Sequence, residues 1–316
     1  MKNLTLRQLR AFEAAATTLS HSRAAEQLHL TQPAVSMQIR LLEDELGLPL
    51  FRKQGRGLQL TDAGDELLRH ARGILGAIRQ AEDALTSMSS GAGSTRGQLH
   101  LGVVPTANYF APLLMMAFRE RFPEVKLKLS VDRRDTILAL LNEHQIDVAI
   151  AGYPPSEADV EAEAFARHPH CIVAAPGHPL AGKRRIAWSE LKGEPFIFRE
   201  PGSATRQFLE HLLQSQALQV NVTMELSGNE TIKQAVMAGM GISFMSAHAF
   251  QIELAAGRMA VLDLVGMPKL LDWCLLHRRD GVLTGVNAAF RGFVLEHGAR
   301  LAHCELSAAP TFSPGS

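Results

Sequence analysis

The chain has 316 residues, enough for more than one domain, and its 46% hydrophobic and 20% charged residues can furnish a sizeable core. Lys+Arg and Asp+Glu both number 32, so the overall charge points to no polyanionic partner. Residues 1–60, however, carry eight basic against five acidic side chains, a net +3 that leaves −3 for the remainder. No stretch approaches the roughly 20 apolar residues of a membrane span. The N-terminus MKNLTLRQLRAFEAAA lacks the apolar core of a signal peptide, so the expectation is a soluble cytoplasmic protein with no membrane partner. Cys171, Cys274 and Cys304 are far apart with no C-x-x-C pair, which excludes a disulfide framework or a zinc site and reads as incidental thiols.

Leu6, Leu9, Phe12, Ala16 and Leu19 recur at helical spacing and predict a first helix over 5–18. Ser20 or Ser22 can cap a short second helix containing Ala24, Ala25 and Leu28, whose small alanines suit a close helix crossing. Thr31 can cap a third helix that Gly47 ends, with Pro33 in its first turn. Val35, Ile39, Leu42 and Leu46 line its inner face. Gln32, Pro33, Ser36, Met37 and Arg40 are left for the outer face or its flank. A short helix, a tight turn and a helix with a polar outer face form a helix-turn-helix pattern. Gln32 can pair with an adenine edge, Arg40 with guanine or phosphate, Ser36 with either, and Met37 can meet a thymine methyl or simply be exposed.

Leu50-Phe51 and Leu58–Leu60 read as two short strands around a turn with Gly55 and Gly57. Arg52, Lys53 and Arg56 gather on this hairpin, which would act as a wing tracking phosphates. Thr61 can cap a long helix to about Met88, in which Leu67, Ile74, Ile78, Ala81, Leu85 and Met88 form a seam with steps of three and four. Gly73 and Gly76 weaken that helix by roughly 1 kcal/mol each relative to alanine, so pairing with a second chain through Leu67, Ile74, Ile78 and Leu85 is the expected source of its stability.

The segments A-A-E-x-L, T-Q-P-A-V-S-x-Q-I, L-E-x-x-L-G-x-P-L-F and L-T-x-A-G, in this order over some sixty residues, resemble the LysR-type transcriptional regulators. The resemblance implies a winged helix-turn-helix bound to double-stranded promoter DNA, a linker helix, and a homodimer or homotetramer. It also implies an effector that relaxes a DNA bend and so alters RNA polymerase access.

SSGAGSTRGQ, residues 89–98, is a Gly/Ser-rich hinge. Strand, helix, strand, helix and strand follow at 98–104, 109–122, 125–131, 135–143 and 146–152. A similar order restarts at 195–200, 204–217, 222–226, 229–239 and 241–245. These βαβαβ runs predict an α/β domain of two lobes on mainly parallel sheets, with a cleft between them. The expected division is a DNA-binding domain at 1–60, a linker helix at 61–90 and a two-lobed effector domain at 91–306. Lobe I takes about 98–165 plus 270–300, lobe II about 166–269, and 307–316 is an expected disordered tail. Four loops after strands offer hydroxyls, arginines and helix N-termini suited to an anion: Thr106 and Asn108; Arg133 and Arg134; Ser203, Thr205 and Arg206; and Asn229.

This half resembles the periplasmic-binding-protein-like effector domain of the same family. NYFAP, GHPLAGKRRI, REPGSATR and SGNETIKQAVMAGMGI are similar to the subgroup that controls Rubisco operons, CbbR. The subgroup implies control of Calvin-cycle genes and a small anionic effector, a phosphorylated sugar or nucleotide, with no cofactor or metal. A carboxylate effector of another pathway stays open on the residues alone, and a solute-binding protein would leave residues 1–64 unexplained. Among thirteen histidines there is no H-x-x-x-H or H-E-x-x-H spacing, and the chain has no G-x-S-x-G or P-loop, which argues against an enzyme. His168-Pro169-His170 reads as a surface turn rather than a metal site.

Overall fold

The computed structural model describes residues 4–54, 57–89, 96–152, 159–279, 281 and 283–306. The first elements are α1 (Leu6–Thr18), α2 (His21–Leu28), α3 (Gln32–Leu46), β1 (Phe51–Gln54), β2 (Gly57–Leu60) and α4 (Asp62–Ser89). Then come β3 (Gly97–Val103), α5 (Ala111–Arg121), β4 (Val125–Val131), α6 (Arg134–Asn142), β5 (Val148–Gly152) and β6 (Val160–Ala174). The rest are β7 (Pro195–Arg199), α7 (Ala204–Ser215), β8 (Asn221–Leu226), α8 (Asn229–Met237), β9 (Ser243–Ser246), α9 (Gln251–Ala255), β10 (Ala260–Val261), β11 (Lys269–Arg278) and α10 (Gly285–Leu301). The chain falls into two compact units: residues 1–94 with Ala139–Ile146, and Thr95–Leu138 with the residues from Asp147 onward.

In the first unit the helix starts follow local chemistry. Thr5 opens α1 with a reciprocal box, its hydroxyl accepting from Gln8 N–H (3.3 Å) and Gln8 Oε1 accepting from Thr5 N–H (2.7 Å). Ser20, not Ser22, caps α2. Thr31 stands at the N-cap of α3 but makes no side-chain cap bond, so Pro33 in the first turn is the local start signal that remains. Alanines 11, 14 and 15 of α1 meet Ala24 and Ala25 of α2 over Val35 and Ile39 of α3. Leu9, Phe12, Leu42 and Leu50 close a second cluster with Leu68, Ala71 and Leu75 of α4. The Thr61 hydroxyl accepts from Gly64 N–H (3.1 Å) and donates to Pro49 O (2.7 Å), which starts α4 as its sequence predicts.

One stripe of α4 therefore packs inward. The neighbouring stripe does not: Ile74 is 41% and Leu85 66% exposed, and Leu67 and Ile78 are half-buried. The side chain of Met88 lies outside the described residues. Gly76 has a packing reason, since a Cβ there would lie 2.2 Å from the Cβ of His144. The weak point expected in an isolated helix is thus a place of close approach.

In the second unit, β3 pairs in parallel with β4 and β5, and β7 pairs in parallel with β8. These are the expected βαβ repeats. Between them run β6 and β11, long antiparallel partners in register from Lys269↔His170 to Arg278↔Val160 with one irregularity at Trp273/Cys274. Their sheet is mixed rather than mainly parallel, in the order β10-β6-β11-β5-β3-β4 with β9 also on β6. The crossing pair escapes pattern reading because β6 is partly exposed along its first half and buried along its second, so no single period describes it. Leu101, Phe118, Trp273 and Phe290 anchor one core, and Phe196, Phe198, Ile242 and Phe244 another. The cysteines are free thiols, and burial pushes Cys171 up to about 12.

Candidate functional site

Two surfaces carry functional chemistry, one in each unit. On α3, burial of Val35, Ile39 and Leu42 turns Gln32, Pro33, Met37 and Arg40 to the exposed side, with Ser36 half-buried beside them. Met37 is 56% exposed. The Glu43 carboxylate accepts from Leu50 N–H (2.7 Å) and Phe51 N–H (3.3 Å), which ties the base of the β1–β2 hairpin to the same helix. Arg52 and Lys53 are exposed on β1, and Arg52 Nε donates to Gln59 Oε1 (3.0 Å) across the hairpin. Arg56 lies outside the described residues. An exposed polar helix face beside a basic hairpin fits a polyanion with a readable groove.

The second unit holds a cavity of about 450 Å³ at the carboxyl ends of its parallel strands. Thr106 enters it from the loop after β3, Arg133 and Arg134 from the turn after β4, and Gly152 from the end of β5. Arg199 and Glu200 enter from the end of β7, and Ser203, Thr205, Gln207 and His211 from the start of α7. Ser203 caps α7, its hydroxyl accepting from Arg206 N–H (3.3 Å), so the helix's free N–H groups open on the cavity.

The charges are not equivalent. Arg199 is buried and already matched, donating from Nε and Nη2 to both oxygens of Glu200 (2.8 and 2.7 Å) and from Nη1 to Asn229 Oδ1 (2.8 Å). These hydrogen bonds from Arg199 hold the Glu200 carboxyl below the usual carboxylate range. Arg134 Nη1 donates to the Gly152 carbonyl (3.2 Å), which holds it against the rim, and Arg133 is exposed beside it. Glu200 balances Arg199, and Arg133, Arg134 and the α7 N-terminus are further positive groups that line the cavity.

His168 and His170 also line the cavity, and they differ from the sequence expectation. His168-Pro169-His170 is no surface turn but a buried stretch of β6. His168 stacks on Trp273 at 3.7 Å and its Nε2 lies 2.9 Å from Ser246 Oγ. His170 stacks on Phe244 and its Nδ1 donates to the His168 carbonyl (3.2 Å). Burial pushes His168 well below the ordinary histidine value and His170 down to about 4, so both rings are neutral near pH 7. A Cβ at position 152 would lie 2.5 Å from His168 Nδ1, so only glycine lets β5 pass this ring.

Of the eight residues that the four loops offered to an anion, Thr106, Arg133, Arg134, Ser203 and Thr205 line the cavity. Asn108 is exposed and does not line it. Arg206 turns to Glu210 (2.8 Å) and Glu225 (2.9 Å), and Asn229 stands behind the wall as the partner of Arg199. Sequence reading missed Arg199, His168, His170, Gln207 and His211 as lining residues. Arg199 is the penultimate residue of the strand predicted over 195–200, just before the loop of Ser203, Thr205 and Arg206, the one signal that could have found it. Among the described residues no group of three or more His, Cys, Asp or Glu could hold a metal, and no helix is long and apolar enough to cross a membrane.

Comparison with known proteins fits both surfaces. Residues 6–65 match the model for bacterial regulatory helix-turn-helix proteins of the lysR family, and residues 92–299 match the LysR substrate binding domain. The chain is 43% identical over 304 residues to a RuBisCO operon transcriptional regulator of Allochromatium vinosum, covering 96% of this chain and 99% of the relative. The regulatory domain of Synechocystis PCC6803 CcmR, solved in complex with 2-PG, is 33% identical with a TM-score of 0.61, covering 64% of this chain and 97% of that one. Full-length CbnR complexed with its target DNA, 22% identical over 93% of this chain and 99% of that one, shares the fold with a TM-score of 0.66.

Proposed function

The chain belongs to the LysR family of DNA-binding transcriptional regulators, and from that premise we propose that it controls CO2-fixation genes in response to a small anionic metabolite held in the cavity of its second unit. The observation that carries the reading is the convergence of Thr106, Arg134, Ser203 and Thr205 on one cavity at the strands' carboxyl ends. A phosphorylated sugar or nucleotide fits this cationic rim, and the 43% identity to a RuBisCO operon regulator supports carbon fixation as the pathway. Gln32, Ser36 and Arg40 read promoter bases, with Pro33 and Met37 on the same face. Arg52, Lys53 and Arg56 of the hairpin hold phosphates. The chain acts in the cytoplasm as a homodimer or homotetramer joined through Leu67, Ile74, Ile78 and Leu85 of α4. Effector binding shifts the population of lobe arrangements and, through α4, the DNA bend that RNA polymerase meets.

Thermal unfolding with phosphorylated sugars, ATP, NADPH and 2-PG tests the cavity, because a molecule that binds the folded state raises its melting temperature. At least one of these anions should raise it, and Arg134→Ala should abolish the rise. Arg206→Ala, whose side chain faces Glu210 and Glu225, should lower the melting temperature but keep the rise. No rise with any anion, or a full rise in Arg134→Ala, contradicts the assignment.

A further inference from the structure

The outer face of α3 contains a hydrogen-bonded chain that begins on another helix. Gln32 Nε2–H donates to Ser36 Oγ (2.8 Å), and Ser36 Oγ lies 2.9 Å from Nδ1 of His21, the first residue of α2. We propose that His21 is a positioning residue for base reading: its Nδ1 fixes the Ser36 hydroxyl, which fixes the Gln32 amide in the orientation an adenine edge requires. This rests on α3 being the DNA-reading helix.

Burial lowers the His21 proton affinity and so favours a neutral ring. In the proposed chain the tautomer protonated at Nε2 takes the Ser36 proton at Nδ1, while Ser36 Oγ accepts from Gln32. One Gln32 N–H is then committed to Ser36, leaving the second N–H and Oε1 to face outward. That pair is what adenine N7 and N6 demand. An exposed glutamine otherwise surrenders its rotamer freedom on binding, whereas here much of that freedom is lost before contact.

Packing alone does not explain a histidine at this position. The ring meets Phe51 edge-on at 5.8 Å, a contact a phenylalanine would make equally well. The imidazole also leaves its Nε2 buried with no partner, a defect a phenylalanine would not carry. What the histidine alone supplies is a polar partner, Nδ1, for Ser36.

The test takes the full-length protein through selection on a random duplex pool, then measures affinity for the selected operator and for versions altered one base pair at a time. Gln32→Ala identifies the base pair that Gln32 reads; if it changes preference nowhere, the reading of α3 fails rather than the role of His21. His21→Phe should keep non-specific affinity and salt slope while losing about fivefold discrimination at that base pair. His21→Asn, which returns an acceptor near the Nδ1 position, should restore most of it. Discrimination that is unchanged in His21→Phe, or that His21→Asn does not restore, overturns the proposal. Should His21→Phe fail to fold, Ser36→Ala breaks the same chain and must lower discrimination at the base pair identified by Gln32→Ala. A loss confined to a different base pair overturns the proposal equally.

Discussion

Three buried histidines set how the second unit responds to acid. His168, His170 and His248 are held neutral chiefly by burial, below the 6.5 of an exposed histidine. In the unfolded chain they take up protons near pH 6.5, while in the fold His170 stays neutral to about 4. Between these limits the unfolded state binds more protons, so stability is fully present above pH 6.5 and declines as pH falls toward 4. The urea midpoint should be lower at pH 5.5 than at pH 7.5, and His170→Phe should narrow the difference; equal midpoints contradict the account. The sequence shows these residues but not their setting. The pair 168 and 170 has the spacing of one strand face, yet its polarity and the intervening proline argue for a turn; stacking on Trp273 and Phe244, with the Ser246 and His168 hydrogen bonds, makes the burial tolerable. Thr106 and Ser203 were legible because a hydroxyl after a strand and before a helix is a local signal. Arg206 was misplaced for a related reason: a helix start gives a side chain's position but not whether acids such as Glu210 and Glu225 will draw it away from the cavity.

At the scale of elements, α4 carries two adjacent stripes with different roles. Leu75 is 3% exposed within the core of the first unit, whereas Ile74 is 41% exposed. Leu75→Ala should therefore cost about 2–5 kcal/mol of stability in chemical denaturation. Ile74→Glu should leave the fold intact and shift the mass measured by light scattering toward the monomer, and a full-sized oligomer in this variant contradicts the pairing. The hairpin invites a similar separation. Lys53→Ala should weaken operator and random DNA alike and reduce the salt slope by about 1, since a phosphate contact carries no sequence information. Selective loss on the operator contradicts that role. Helices α1 to α3 were legible because apolar spacing, small alanines and stops such as Gly47 agree with one another. β6 and β11 were not, because each passes through two surroundings and obeys neither period along its whole length.

At the scale of the whole molecule, the proposed DNA-reading helix and the proposed anion cavity lie in different compact units. The two can influence each other only if the anion binds the arrangements of the protein with different affinities, and the same coupling must then act in reverse. Operator DNA should accordingly change the affinity for the anion by the factor by which the anion changes affinity for operator DNA. The most direct measurement is the bend angle of operator DNA bound to the full-length protein, by circularly permuted fragments, with and without the anion that raises the melting temperature. The account predicts that the anion reduces the bend with the wild-type protein and leaves it unchanged with Arg134→Ala. A bend that the anion does not alter in the wild type, or alters equally in Arg134→Ala, would contradict it.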